Sequence, residues 1–150
     1  MVTYIEKGNI FKLAGVYAYA HGCNCVGAMG KGIAVCFKER YPDMYREYRR
    51  RCKAKEFTPG SVYLYEKEGI YVFNLATERH WCLGAELPFI EQALTQMIVL
   101  AKQHCITRIA LPRIGAGLGM LDWDKVKEVI DHVAGEECEV ELLVVEKYEP

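Results

Sequence analysis

The sequence predicts an α/β fold, with helices on both faces of a mixed sheet. Three observations carry this expectation. Short β-branched and aromatic runs alternate with helical patterns along the chain. Two glycine-rich loops each follow a predicted strand. The 150 residues, 51% of them apolar and 26% charged, suit one domain spanning 1–150. A chain of this length buries roughly 70% of its extended surface on folding, enough for a core without staples.

Each element has its own signal. Val2 to Glu6 alternates as a strand does and is broken at Gly8-Asn9. Val16 to His21 is β-branched and aromatic, a buried strand. It runs into GCNCVGAMGKG, with four glycines in eleven residues. Ile33 to Arg40 reads as a helix starting at the glycines, and Pro42 opens the next one through Tyr45, Tyr48 and Cys52. Thr58-Pro59-Gly60 signals a turn. Val62–Tyr65 and Ile70–Leu75 form a hairpin about Lys67-Glu68-Gly69. Glu86 to His104 is amphipathic, with Ile90, Ala93, Leu94, Met97, Ile98 and Ala101 on one face. Arg108 to Leu111 is a strand ending at Pro112, and the loop RIGAGLG follows. Asp122 is placed to cap a helix from Trp123 to Val133, and Val140 to Val145 closes the chain as a strand.

Composition narrows the function. A formal charge of −1 disfavours a generic binder of nucleic acid or anionic membrane. The run Arg49-Arg50-Arg51 has Glu47 and Glu56 nearby and reads as a solvated helix face. The seven cysteines are odd in number, and MVTYIEKGN lacks the apolar core of a signal peptide, so free thiols in a reducing cytoplasm are expected. No apolar run nears the roughly 18 residues of a membrane helix. His21, Cys23 and Cys25 invite a zinc reading, but no fourth ligand stands at a recognisable spacing, so packed thiols and no metal are expected.

The two glycine loops carry the chemistry. Loop one runs Gly27 to Ala34 into a helix, and loop two is Gly115-Ala116-Gly117-Leu118-Gly119. Glycine lets backbone approach a ligand, and a helix N-terminus offers unpaired N–H groups to an anion. Two such loops at neighbouring strand ends suit a diphosphate. The Walker A spacing fails, since position 25 is Cys25 and Gly32 follows Lys31. The dinucleotide fingerprint fails at Val35.

The motif HGCNCVGAMGKGIA at 21–34, with LPRIGAGLG at 111–119, resembles the macrodomain family. The likeness runs from YIEKGNI at 4–10 to the last strand. It is nearest the branch of terminal ADP-ribose glycohydrolases, ADP-ribose-1″-phosphate phosphatases and macrodomain antitoxins that remove ADP-ribose from DNA. FKERYP (37–42), Thr58-Pro59-Gly60, NLATERHW (74–81) and LDW (121–123) are further marks of it. The resemblance implies a three-layer α/β/α fold around a central mixed sheet, binding ADP-ribose across the strand ends. It places Asn9 and Ile10 at the adenine amine, where Asn9 accepts without the charge of the family's usual acid. It places Asn24 at the distal ribose. It gives Gly30, Lys31, Gly32, Ile33 and Ala34, with Ile114, Gly115, Ala116, Gly117 and Leu118, to the diphosphate. Thr77 and Arg113 stand within the same motifs and join the ligand-binding set. Trp123 is a candidate to flank the adenine, or else packs the last helix on the sheet.

The catalytic residues depart from the family. Where one group of relatives has a lysine after the threonine of N-x-x-T, this chain has Glu78. Where terminal ADP-ribose glycohydrolases have an acid in the second loop, it has Gly119. A lysine adduct is therefore not implied. Cleavage at C1″ passes through an oxocarbenium-like state. Asn24 is expected to orient ribose and water, Glu78 to serve as base, and Arg79 and His80 to meet the leaving group. The expected activity is hydrolysis of ADP-ribose linkages on protein or nucleic acid, DNA included. A phosphatase for ADP-ribose-1″-phosphate and a non-catalytic reader are the alternatives. A monomer without cofactor or membrane contact is expected.

Overall fold

A computed structural model describes residues 1–150. The chain runs β1 (Val2–Ile5), a 3-10 turn (Ile10–Lys12), β2 (Ala18–Asn24), α1 (Ile33–Arg40), α2 (Pro42–Lys53), β3 (Val62–Lys67) and β4 (Ile70–Glu78). It continues with α3 (Leu87–Gln103), β5 (Arg108–Pro112), α4 (Trp123–Val133) and β6 (Glu141–Val145). The strands form one six-stranded sheet in the order β1-β6-β5-β2-β4-β3. Every neighbouring pair is parallel except β3 with β4. The sheet is therefore mixed, with its one antiparallel strand at an edge.

Alternation along the strands sorts the core into two layers. Ala18, Ala20, Phe73, Leu75, Ile109 and Leu142 face α3 and α4. Tyr19, Val72, Ala76, Ala110 and Leu143 face Phe37 of α1 and Met44, Tyr48 and Cys52 of α2. This is the three-layer α/β/α arrangement. The predicted apolar face of α3 is the one buried. Proline opens both α2 and α3, where its missing N–H costs nothing. No helix is long and apolar enough to cross a membrane.

The elements fall where the pattern put them, except that two central strands run past their expected ends: the strand expected at Ile70–Leu75 continues to Glu78, which carries Thr77 and Glu78 to the end of the sheet. The strand expected at Val16–His21 lies at Ala18–Asn24. Glycine, cysteine and asparagine are weak strand formers, but here β4 pairs with the segment residue by residue from Ala18↔Tyr71 to Cys23↔Ala76. Pairing with β4 overrides local preference. A bulge then sets Asn24 opposite Glu78.

A polar ladder ties this central region together. The His21 ring is fully buried, stacks on Phe37 with centroids 4.1 Å apart, and meets Asn74 Oδ1 at 2.7 Å. Asn74 Nδ2 donates to the Tyr63 carbonyl of β3. Burial lowers the His21 pKa to about 4, so the ring is neutral and structural.

β2 and β5 share a single register pair, Tyr19↔Ala110, and part beyond it. The connections lead away on opposite sides of this point, β5 to β6 and β2 by way of α1, α2 and β3 to β4. Such a switch point opens a crevice outside the carboxyl ends of the strands.

The start of α4 offers a direct check on the local reading. Asp122 Oδ1 accepts from the Asp124 N–H at 3.0 Å. Asp122→Ala is expected to cost about 1 kcal/mol. Thermal melting then shows a drop of about 2–4 °C.

Candidate functional site

The crevice is a cleft of about 680 Å³. Its floor is the ends of four adjacent parallel strands: Val145 of β6, Pro112 of β5, Gly22 to Asn24 of β2, and Thr77 and Glu78 of β4. Its walls are the two glycine loops, Ala28 to Ala34 on one side and Arg113 to Gly119 on the other. Glu146 and Tyr148 close the β6 end, and Trp81 stands at the β4 end.

The first wall leads into α1. Gly32 occupies the N-cap with φ of 65°, in the left-handed region, and no side chain caps the helix. The first-turn N–H groups are thus left for a ligand. In the second wall a Cβ at Gly119 would stand 2.6 Å from the Gly115 carbonyl oxygen. This loop conformation leaves no room for a side chain at Gly119. Leu118 reaches across the cleft, its Cδ1 lying 3.3 Å from where a Cβ on Gly32 would sit.

Asn24 builds the loop that follows it. Its Oδ1 accepts from the Val26 N–H at 3.1 Å and the Ala28 N–H at 3.2 Å, and Nδ2 donates to the Ala28 carbonyl at 2.9 Å. The hydroxyl of fully buried Tyr48 donates to Asn24, 2.7 Å from its carbonyl oxygen and 2.9 Å from Oδ1. One Nδ2 hydrogen remains. The amide oxygen is committed to the loop, so any contact to ribose or water falls to that hydrogen.

Glu78 differs from every other acid of the chain. Its Oε2 is buried with no hydrogen-bond partner, and desolvation raises the carboxyl above the ordinary range. A desolvated carboxyl in a cleft is suited to proton transfer. Thr77 beside it is buried and lies under Gly22.

Several expected residues do not line the cleft. Ile10 is fully buried in the α1/α2 layer. Asn9 turns its Oδ1 to the Phe11 N–H and caps the 3-10 turn. Trp123 packs edge-on against Tyr4, and its indole N–H donates to Glu146 at 2.7 Å, so it supports the wall from behind. Arg79 leans on Phe89 and lies 3.8 Å from Glu86. His80 Nδ1 accepts from the Cys82 N–H, with its ring against Trp81. Ala116 sits within the second loop without lining the cleft. Conversely, Met29, Trp81, Glu146 and Tyr148 line it and were not singled out. Trp81 offered a signal in its neighbourhood of Glu78; Glu146 and Tyr148, in a charged tail, offered none.

No group of three His, Cys, Asp or Glu side chains is arranged to hold a metal. Lys31 and Arg113 line the cleft and carry no ion pair, so positive charge faces it from both walls.

The role of Tyr48 can be tested directly. Tyr48→Phe is expected to cost about 1–3 kcal/mol, by leaving buried acceptors short of a partner. Hydrogen exchange should accelerate at the Val26 and Ala28 amides before it does in the sheet.

The family model "Macro domain" matches residues 20–130. A DNA ADP-ribosyl glycohydrolase of Mycobacterium tuberculosis is 35% identical over 132 residues, covering 85% of this chain and 37% of that protein. Its counterpart in Thermus aquaticus is 33% identical over 147 residues, 95% of this chain and 41% of that protein. The chain therefore spans about two fifths of these curated relatives. The solved macrodomain of Mycobacterium tuberculosis DarG superposes with a TM-score of 0.88 at 32% identity, covering 100% of this chain and 98% of that one. Fold, glycine loops and similarity agree: the chain belongs to the macro domain family.

Proposed function

We propose that this chain, working as a monomer in a reducing cytoplasm, hydrolyses the bond between ADP-ribose and an acceptor, with nucleic acid as the favoured acceptor. One observation carries the reading: a cleft across four strand ends is walled by two glycine loops and ends at a half-buried carboxyl whose Oε2 has no partner. The names of the relatives, DNA ADP-ribosyl glycohydrolases, support the acceptor. The seven free thiols suit a reducing compartment.

In this reading the diphosphate lies between the walls, met by the N–H groups of α1 and of the second loop. The adenosine extends to Tyr148 and Glu146, and the distal ribose to Asn24 and Glu78. Cleavage develops positive charge on C1″, which the adjacent diphosphate stabilises. Water adds across the C1″–acceptor bond. Its oxygen goes to C1″, and Glu78 takes its proton and returns one to the leaving acceptor. Asn24 acts through the loop it holds, which fixes the substrate in reactive geometry. A second reading, a module that binds ADP-ribose without turnover, is favoured by the absence of an acid at Gly119.

Three substrates separate the readings: an ADP-ribosylated oligonucleotide, an ADP-ribosylated protein and ADP-ribose-1″-phosphate. Free ADP-ribose should appear fastest from the oligonucleotide. Release from none of them, with ADP-ribose binding intact, establishes the binding module.

Free ADP-ribose is expected to bind and to raise the melting temperature by mass action, with AMP weaker. Gly117→Glu is expected to abolish binding without unfolding the chain. A Cβ there meets nothing within 4 Å, and its carboxylate enters the diphosphate position. Wild-type affinity in that variant would move the ligand elsewhere.

A pH profile tests Glu78. As a base it acts only when ionised, and burial raises its pKa, so the rate should climb with pH along a limb displaced upward from the ordinary carboxylate range. Glu78→Gln should lower turnover about 10²–10⁴-fold and remove that limb. A limb unchanged in Glu78→Gln would assign the base to another group.

A further inference from the structure

A second cavity lies on the far side of the loop that Asn24 holds. It measures about 730 Å³, and Arg46, Arg49, Arg50, Lys53 and Lys55 line it. Cys25, Val26 and Gly27 form its near wall, while their neighbours Asn24 and Ala28 line the cleft. One short ridge, 25–27, therefore separates the two cavities. The Cys25 N–H donates to the Arg79 carbonyl at 3.2 Å, which hooks the ridge to the end of β4 beside Glu78 and Trp81.

The charge here is unlike that of the rest of the chain. Residues 43–56 hold six cations against Asp43, Glu47 and Glu56, within a chain of net charge −1. The acids are already committed. Glu47 pairs with Arg50 at 2.7 Å and Arg51 at 2.9 Å, Glu56 pairs with Arg50, and Asp43 pairs with Arg46. Arg49, Lys53 and Lys55 have no acidic partner. The Arg49 stem packs on the ridge, its Cγ 3.5 Å from where a Cβ on Gly27 would sit. The expected solvated helix face is thus a concave, basic one.

We propose that this cavity is a phosphodiester-backbone subsite for a single strand of nucleic acid, the acceptor end of the substrate taken up by the neighbouring cleft. The inference rests on the proposed function for its connection to ADP-ribose, and on the cavity's own charge for its ligand. If the link to ADP-ribose is through a base, that base leaves the cleft past Glu78 and Trp81 and so is out of the stack. Trp81, 59% exposed at that exit, offers a face for a neighbouring base. The strand then crosses the ridge at Val26, 50% exposed, and meets three uncommitted cations. Unpaired Arg and Lys in a groove beside an aromatic platform are what a sequence-tolerant single-strand binder uses.

The experiment uses a fluorescein-labelled, unmodified oligo-dT and measures anisotropy from low to physiological salt. The wild type is expected to bind, with log affinity falling linearly in log salt. Arg49→Gln/Lys53→Gln/Lys55→Gln should weaken binding at least tenfold at low salt. It should also reduce the slope by about 2, since each phosphate no longer neutralised removes about 0.7 from it. Lys7→Gln/Lys102→Gln/Lys125→Gln, with the same change in net charge, should leave the slope unchanged. Absence of oligo-dT binding, equal effects of the two triple variants, or preference for anionic vesicles or a poly-Glu peptide would each overturn the proposal. Free ADP-ribose is titrated in parallel. It is expected to bind equally to the wild type and both triple variants, as two separate subsites require. If it fails to bind, the proposed function falls while the anisotropy still decides the subsite.

Discussion

The site depends on one carboxamide being held in place. Asn24 ends β2, sits opposite Glu78 through the bulge, and knits the next four residues to itself. Tyr48 holds it from the α2 side by a hydroxyl that has no contact with solvent. The sheet, the first wall of the cleft and the ridge behind it therefore share a single anchor. A hydrogen bond inside a protein is stronger than in water, and its loss leaves a buried group unpaired. The helix carrying Tyr48 thus sets the geometry of a cleft it does not line.

Glu78 and Asn24 divide the work by environment rather than by residue type. The asparagine oxygen is filled by three donors, which makes the side chain rigid. The glutamate lacks one, which makes its proton negotiable. A buried oxygen without a partner, on a desolvated carboxyl in a cleft, marks Glu78 as the candidate for chemistry.

The fold was nearly fully legible in the sequence. Periodicity fixed α3, proline and aspartate fixed the helix starts, and the Lys67-Glu68-Gly69 turn fixed the hairpin. β2 ran three residues past its apolar stretch because pairing with β4, not propensity, made Gly22 to Asn24 extended. The glycine loops were legible as walls, since glycine spacing records where backbone must come close. Side-chain direction was not. Asn9 and Trp123 carry suitable chemistry, yet local bonds turn one to a backbone amide and the other to Glu146. The basic cavity was hidden for a related reason. Counting Glu47 and Glu56 as neighbours balances the charge, but Arg50 and Arg51 consume both, and Arg49 is left over.

Cys23 lies on the cleft floor, buried, with the neutral His21 ring 3.6 Å from its sulfur. Burial pushes its thiol well upward, and Cys25 next to it is pushed up to about 12. A histidine beside a cysteine at the bottom of a groove has the look of a nucleophilic pair, but this imidazole carries no charge with which to draw out a thiolate. Electrophilic inhibitors aimed at the groove would therefore meet an unreactive sulfur and spend themselves on exposed thiols such as Cys82 and Cys105. Mild peroxide would follow the same route, so the groove keeps its shape while the protein's surface is oxidised.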